Sequence, residues 1–302
     1  MKLKIKIASR KSKLALCQVD IVNKALGKNI IISVIDILTS GDKILDKSLS
    51  EIGGKGLFIK ELEHTILDGR ADIAVHSMKD METEIAPNTL IAAVLPRADR
   101  SDVLLGNYNT FDELPNGAVI GTSSVRRAAY AKSYRPDLVI KLLRGNVGTR
   151  IEKLKNRGFD AIILAKAGLD RLNLNLGHII PKEIIPPAST QGVIAIQSTN
   201  FKNTETEMDI NNLLSKINDK NTEYETLAER SFLAFLDGSC RSPISSSAYI
   251  KDNNNLTLYG SIAKIDGTEV IKSSITGSVS DAVLLGQELG KEIISKGGNK
   301  IL

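Results

Sequence analysis

The sequence predicts an α/β fold of two units, followed by a smaller α+β domain. Three observations predict it: strand and helix patterns alternate from the N-terminus, the alternation restarts near Ala118, and three strand patterns lie between two helix patterns near the C-terminus. The chain has 302 residues, more than one core usually supports. We therefore expect three domains, formed by residues 1–97 with 192–216, 98–191 and 217–302.

The first unit begins as β-α-β. Residues 2–8 alternate apolar and polar side chains, Ser12 is a suitable N-cap for a helix running to about Lys28, and an apolar strand follows at 30–38. A glycine-rich segment at 53–56 then precedes an amphipathic helix that ends at Gly69. A short buried strand is predicted after it, at 71–75.

The second unit repeats the alternation. A strand at 118–120 leads to Ser123 or Ser124, either of which suits the N-cap of a helix that Pro136 ends. The pattern then predicts a strand at 138–143, a helix at 149–157, a strand at 160–164 and a helix at 166–172.

The proline-rich segment PKEIIPPAST predicts a linker that crosses between units. The strand predicted after it, at 192–197, is placed to return to the sheet of the first unit. The third domain is then predicted to contain a helix at 222–236, strands at 243–250, 256–263 and 269–276, and a final amphipathic helix at 281–296.

The composition is that of a soluble protein, with 42% hydrophobic and 25% charged residues and no apolar run as long as a membrane span. The N-terminus alternates Lys with Leu or Ile and lacks the features of a secretory signal, so a cytoplasmic location is expected. The two cysteines, Cys17 and Cys240, lie far apart in the sequence and predict no disulfide framework.

Positive charge is concentrated in the second unit. The formal net charge of the whole chain is +5, whereas residues 121–171 contain twelve Lys and Arg against four Asp and Glu. This balance is compatible with nucleic acid as a ligand, but the chain has no Trp and only 4% aromatic residues to stack on bases. A small polyanionic ligand fits the charge as well, and we expect no nucleic-acid partner.

Three segments carry candidate chemistry at predicted strand ends, where open α/β sheets bind ligands. The first is HSMKD at 76–80, with a carboxylate beside a lysine; an ordinary surface ion pair is the alternative. The others, GTSSVRR at 121–127 and LRGNVGTR at 143–150, combine helix N-termini with arginines and suit carboxylates or phosphates. The alternative for both is a capped helix with exposed arginines.

The remaining candidates are weaker on their own. The glycine segment lacks the spacing of a nucleotide-binding loop, and the three histidines show no metal-ligand spacing, so no metal is predicted. Cys240 lies in a loop of small residues beside Arg241, which favours the thiolate and hence a reactive side chain. An inert, partly buried cysteine is the alternative.

Seven segments in register resemble the hydroxymethylbilane synthase family, also called porphobilinogen deaminase. They are IASRKSKLAL, GGKGLFIKELE, ADIAVHSMKD, GTSSVRR, LRGNVGTR, DAIILAKAGLDRL and the cysteine loop near 240. The resemblance covers nearly the whole chain. It implies two periplasmic-binding-protein-like (type II) domains around a cleft, plus a smaller C-terminal domain that holds the cysteine.

The resemblance also implies a reaction. Four porphobilinogen molecules condense head to tail with loss of four ammonias, and hydrolysis then releases linear hydroxymethylbilane for tetrapyrrole biosynthesis. Cys240 would carry a covalent dipyrromethane primer as cofactor, and Asp80 would stabilise the cation left when ammonia departs. Arg10 would lie near the deamination step and Lys79 would contact substrate or cofactor.

Because each substrate carries an acetate and a propionate, the family needs several cationic and polar contacts. The resemblance places primer contacts at Lys55, Ser123, Arg126, Arg127 and Arg144, and substrate contacts at Ser12, Arg150, Arg171 and Gln191. The sequence departs from the family pattern at Met81-Glu82, Ser239 and Arg241, which affects loop geometry more than chemistry.

The enzyme is expected to be a monomer whose partner is porphobilinogen, with no membrane contact. A non-catalytic solute-binding protein of the same architecture is the rival hypothesis. It would keep the arginines but has no need of a reactive cysteine in a third domain.

Overall fold

The computed structural model describes residues 3–43, 56–156, 158–200, 204–238, 242–252 and 254–301. Contacts between backbone positions group the chain into two compact units. Within the described residues, unit 1 comprises 3–43, 56–98 and 193–223, and unit 2 comprises 99–192 and 224–301. The finer division into three domains stays a prediction.

Thirteen strands and nine α-helices are described within these ranges. The strands are β1 Leu3–Arg10, β2 Ile30–Ile37, β3 Ile73–Ser77, β4 Thr89–Val94, β5 Asp102–Gly106, β6 Val119–Gly121, β7 Val139–Lys141, β8 Ala161–Ala165, β9 His178–Ile179, β10 Ile194–Thr199, β11 Ile244–Asp252, β12 Asn255–Ala263 and β13 Val270–Ser278. The helices are α1 Lys13–Leu26, α2 Ser40–Lys43, α3 Lys60–Leu67, α4 Val125–Tyr134, α5 Val147–Lys155, α6 Lys166–Arg171, α7 Glu205–Ile217, α8 Lys220–Phe235 and α9 Ala282–Ser295.

The sheet of unit 1 has the strand order β2-β1-β3-β10-β4. β1 is parallel to β2 and β3, whereas β10 is antiparallel to β3 and β4. The strand predicted to return after the proline-rich segment is therefore confirmed as β10. One face of the sheet packs Ile5 and Ile7 against Val19 of α1, and the other packs Ala74 against Leu62 of α3.

The first helix begins where its sequence predicts. The Ser12 hydroxyl accepts a hydrogen bond from the Ala15 N–H at 3.2 Å, which satisfies one of the backbone donors at the helix N-terminus. The helix ends at Gly27, whose φ of +91° is open to glycine but strained for other residues. Because β1 runs directly into this cap, Arg10 and Ser12 lie together at one edge of the sheet.

A second five-stranded sheet lies in unit 2, in the order β7-β6-β8-β5-β9. Its pairing repeats that of unit 1: β6 is parallel to β7 and β8, and β5 is antiparallel to β8 and β9. Of the two candidate caps of α4, Ser124 is the one observed. Helix α5 begins two residues earlier than predicted because Asn146 caps it, accepting from the Thr149 N–H at 2.9 Å.

The C-terminal part of unit 2 is an antiparallel sheet, β11-β12-β13. Phe232 of α8 and Leu289 of α9 pack with Leu256, Leu258 and Ile262 of β12 in a fully buried core. The predicted fold class, with two α/β sheets that share one pairing pattern and a smaller α+β part, is thus confirmed. In the part of the chain described here, no helix has both the length and the apolar character to cross a membrane.

Five of the described elements were missed by the sequence analysis: α2, β4, β5, β9 and α7. Helix α7 did carry a signal, since Thr204 and Glu207 form a capping box in which each side chain accepts from the other's backbone N–H. Strands β4 and β5 lie close to prolines and charged residues, which hides their pattern, and α2 and β9 have only four and two residues. Strand β5 matters for the site, because it begins with Asp102.

Candidate active site

The sheet of unit 1 brings two predicted segments to one edge. β1 and β3 are parallel neighbours, with Ile7 opposite Ile73 and Ala8 opposite Ala74. Their carboxyl ends therefore meet, which places Arg10 near the end of β3. A single 3₁₀ turn, Met78–Asp80, follows β3 directly and carries Lys79 and Asp80.

A small pocket of about 60 Å³ opens at this edge. It contains three of the predicted site residues, Arg10, Ser12 and Asp80. Four other polar or aromatic side chains also line it: Gln18, Phe58, His76 and Ser77. Gln18 is almost fully buried, and its amide donates to the Ser77 hydroxyl at 2.7 Å, so this wall of the pocket is held by a defined hydrogen bond.

Arg10 is oriented by a carboxylate that the motifs did not contain. Its Nε donates to Asp42 Oδ2 at 3.1 Å, and its Nη2 donates to Asp42 Oδ1. The Thr39 hydroxyl donates to the same carboxylate at 2.7 Å, and the guanidinium lies 4.5 Å from the centre of the Phe58 ring. This two-pronged arrangement fixes the plane of the guanidinium.

The charges of this pocket are coupled. Burial lowers the pKa of Arg10, but the hydrogen bond to Asp42 and the negative charges of Asp80 and Asp42 outweigh it and raise that pKa above its ordinary value. Burial likewise raises the pKa of Asp42, and the contacts with Arg10 and Thr39 outweigh it, so that the pKa is lowered. Arg10 and Asp42 are therefore an ion pair next to Asp80.

His76 lines the pocket without carrying charge. The pKa of His76 is lowered to about 4, mainly by burial and also by the positive charge of Arg10, and the hydrogen bond with Gln197 opposes this only in part. The imidazole is therefore neutral at physiological pH. A neutral side chain here adds no second positive charge beside Arg10.

In unit 2, two predicted arginines converge on one buried carboxylate. Arg126 and Arg127 begin α4, and their Nη2 atoms donate to the two oxygens of Asp102 at 2.8 and 2.7 Å. The predicted residue Gln191 also donates to Asp102, at 2.9 Å. All four residues are almost entirely buried. These arginines are thus not the exposed side chains that a merely capped helix would carry.

The second arginine segment lies at the same sheet edge, because β6 and β7 are parallel neighbours and each leads into one of the segments. Arg144 is buried. The Arg150 Nε donates to the Gly145 carbonyl at 2.8 Å, and the Arg171 Nη2 donates to the Gly192 carbonyl at 2.7 Å. Ser123 immediately precedes the cap of α4.

Two predicted residues, Lys55 and Cys240, lie outside the described residues, as do Ser239 and Arg241. Met81 and Glu82, where the sequence departs from the family pattern, lie within the described residues. Met81 is buried in an apolar cluster with Met78 and Val94, and Glu82 accepts a hydrogen bond from the Gly56 N–H at 2.7 Å. Glu82 therefore joins the loop after β3 to the end of the glycine segment.

Sequence reasoning missed Asp42, Phe58, His76 and Asp102. Phe58 and His76 stand inside motifs that were singled out, GGKGLFIKELE and ADIAVHSMKD, so their position was a signal. Asp42 and Asp102 carried no signal in the sequence, because the arginines that they bind lie 32 and at least 24 residues away.

Comparison with protein families decides between the rival hypotheses. The model of the porphobilinogen deaminase dipyrromethane cofactor-binding domain matches residues 5–208, and that of the porphobilinogen deaminase C-terminal domain matches residues 224–295. The chain belongs to the porphobilinogen deaminase family. The resemblance seen in the sequence is thereby confirmed, and so is the dipyrromethane cofactor.

Individual relatives agree over nearly the full length. Porphobilinogen deaminase from Geobacillus sp. (strain WCH70) is 42% identical over 306 residues, covering 99% of this chain and 96% of the relative. That from Maridesulfovibrio salexigens is 42% identical over 305 residues, covering 99% and 97%. Among solved structures, a probable amino-acid ABC transporter extracellular-binding protein from Bacillus subtilis covers 71% of this chain and 91% of its own at 14% identity, with a TM-score of 0.41, too low to carry an argument.

Proposed function

We propose that this member of the family performs its chemistry in the pocket of unit 1, with Asp80 and Arg10 as its catalytic residues. The enzyme is a transferase: it condenses four porphobilinogen molecules into linear hydroxymethylbilane and releases four ammonias. The observation that carries the assignment is the pairing of one carboxylate with one oriented guanidinium in a single pocket at the ends of two parallel strands.

The pocket suits the charges that the reaction creates. Departure of ammonia from porphobilinogen leaves positive charge on the pyrrole, and the carboxylate of Asp80 stabilises a cation at that position. Arg10 is held in a fixed plane by Asp42 and binds a substrate carboxylate. Lys79, on the same turn as Asp80, supplies a further cation for substrate or cofactor.

The described residues of unit 2 fit a ligand that carries several carboxylates, as the dipyrromethane cofactor does. Arg126, Arg127 and Arg144 are buried, and within the part of the chain that the structure describes the Arg127 Nε has no hydrogen-bond partner. When bound, the dipyrromethane supplies the pyrrole to which new units are joined. We assign its anchor to Cys240 and its further contacts to Lys55 and Ser123, and we assign substrate contacts to Ser12, Arg150, Arg171 and Gln191.

The role of Asp80 is tested by Asp80→Asn. The amide keeps the shape of the side chain but supplies no negative charge where positive charge develops, so we expect turnover to fall by about two orders of magnitude or more. The protein should still fold, as measured by thermal unfolding. Asp20→Asn, on the exposed side of α1, is the control and should behave as wild type. Wild-type turnover in Asp80→Asn would refute the role.

We also propose that the enzyme acts as a cytoplasmic monomer without a nucleic-acid partner. Two of the twelve cations in the basic region, Arg126 and Arg127, are buried and paired with Asp102, so they do not present charge to a phosphate backbone. Sedimentation of the purified enzyme with and without duplex DNA tests the monomeric state and the absence of nucleic-acid binding. A dimer, or a complex with DNA at physiological salt, would contradict them.

A further inference from the structure

Asp102 is the meeting point of three side chains that come from distant parts of unit 2. It opens β5, its carboxylate is completely buried, and no family motif quoted above contains it. One oxygen accepts from Arg126, and the other accepts from both Arg127 and Gln191. Gln191 is held in turn by donating to the Arg100 carbonyl at 2.7 Å.

The two guanidiniums are also tied to the backbone. Arg126 Nη1 donates to the Pro186 carbonyl, and Arg127 Nη1 donates to the Ile163 carbonyl at 3.0 Å. Each guanidinium is therefore fixed by one carboxylate oxygen and one carbonyl. Rotation of either one would break both contacts at once.

The charge of this cluster does not balance. Among the described residues, the two guanidiniums pair with one carboxylate, and the first turn of α4 holds no acidic residue, while the helix N-terminus adds partial positive charge. Burial lowers the pKa of Arg126, with Asp102 opposing this effect and Arg127 adding to it. The other titratable neighbour, Tyr130, is a neutral phenol, because burial raises its pKa.

We propose that Asp102 is a positioning residue for the binding of the primer's carboxylates: it fixes both guanidiniums and, by neutralising only one of the two charges, leaves one positive charge for an incoming pyrrole carboxylate. The buried Nε of Arg127, which has no hydrogen-bond partner among the described residues, is a donor that such a carboxylate can use. This inference rests on the assignment of Arg126 and Arg127 to the primer. Gln191 then acts through Asp102 in addition to any contact with substrate.

The test follows primer assembly rather than turnover. Full-length apoprotein is incubated with porphobilinogen, and intact mass gives the fraction that has gained the primer at each time. In Asp102→Asn, one carboxylate oxygen becomes an NH₂ that faces a guanidinium, so one arginine loses its acceptor and both lose the negative charge that holds them. We expect primer loading per folded protein to slow about tenfold or more, the scale seen when the partner of a binding group is removed.

Asp137→Asn is the matched control. Asp137 holds Arg135 at the other end of α4 through two hydrogen bonds of 2.7 and 2.8 Å, but this pair is partly exposed and lies outside the site. We expect it to load the primer at the wild-type rate. Asp102→Glu retains the charge but displaces it by one methylene, and we expect an intermediate rate.

The outcomes separate the hypotheses. If Asp102 were only structural, Asp102→Asn would lower the thermal unfolding midpoint while the folded protein loaded at the wild-type rate, which overturns the proposal. If Asp102→Asn does not fold, Asp102→Glu decides, and a wild-type loading rate in that variant overturns the proposal too. Arg127→Gln tests the assignment of Arg127 to the primer, on which the proposal rests. Normal primer loading in Arg127→Gln refutes that contact itself. Slow loading in Arg127→Gln together with normal loading in Asp102→Asn refutes only the role of Asp102.

Discussion

Replacing Asp42 with Asn removes the carboxylate that orients Arg10 and leaves the shape of the side chain almost unchanged. Asp42 accepts two hydrogen bonds from the guanidinium, and the two side chains are only 24% and 25% exposed. A hydrogen bond to a charged group contributes about 1.5–3 kcal/mol. Because the amide oxygen keeps part of one bond and solvent reaches the pair, we take a loss near the lower end, about 2 kcal/mol.

If that loss falls on the transition state, kcat should decrease about 30-fold, since each 1.4 kcal/mol is a factor of ten in rate. KM should change less, because Asp42 is not among the residues that line the pocket. Asp42→Glu should recover part of the rate. Steady-state kinetics on enzyme whose primer has been verified by intact mass gives both constants.

The control for this prediction is Asp68→Asn. Asp68 also pairs with an arginine, Arg70, but both side chains are more than half exposed, so the pair should contribute little. A kcat in Asp42→Asn within about twofold of wild type, a change of under half a kcal/mol, would refute the orienting role.

Two further predictions concern the arginines and His76. Changing Arg126, Arg127, Arg144 or Arg150 to Leu, one at a time, should stall elongation at different numbers of added rings, which are visible as separate enzyme-intermediate bands on a native gel. Wild-type behaviour of all four variants would reject the carboxylate contacts and leave these segments only as capped helices. His76 has a pKa of about 4 in the folded protein and about 6.5 in the unfolded protein, so the unfolded state binds the proton first as the pH falls. The free energy of unfolding should therefore decrease by about 3 kcal/mol between pH 6.5 and pH 4. Urea denaturation should show this loss in wild type and in the exposed control His64→Gln but much less in His76→Gln; an unchanged pH dependence in His76→Gln would contradict it.

The sequence predicted most elements because their signals are local. The Ser12 cap lies three residues from the N–H group that it satisfies, and the apolar alternation of β1 lies within eight residues. The return of β10 to the first sheet was also predicted, since the proline-rich segment marks the crossing. Strands β4 and β5 were missed although β3 and β8 are equally short, because prolines and charged residues at 87 and 96–100 flank β4 and β5 and hide their pattern.

The site was predicted less completely because its geometry depends on contacts between distant segments. The motifs located Arg10, Asp80, Arg126 and Arg127, but the carboxylates that orient these arginines are set by folding. An isolated Asp at the start of a short strand, as in RSDVLLG, has no pattern that reveals its partners. A buried arginine pair requires a carboxylate nearby, so once the arginines are predicted to be buried, a search for an unassigned Asp or Glu is justified.

The central claim, that this enzyme builds its product on a primer held by Cys240, is tested most directly by intact mass. Purified protein is first incubated with porphobilinogen and then weighed, beside Cys240→Ser and the control Cys17→Ser, whose cysteine lies half-buried on α1. The wild type and Cys17→Ser should exceed their sequence masses by two deaminated porphobilinogen units, whereas Cys240→Ser should show neither added mass nor activity, because a serine oxygen is a poorer nucleophile than a thiolate. A wild-type mass that stays at the sequence value after this incubation, or a Cys240→Ser variant that still gains the two units, would contradict the account.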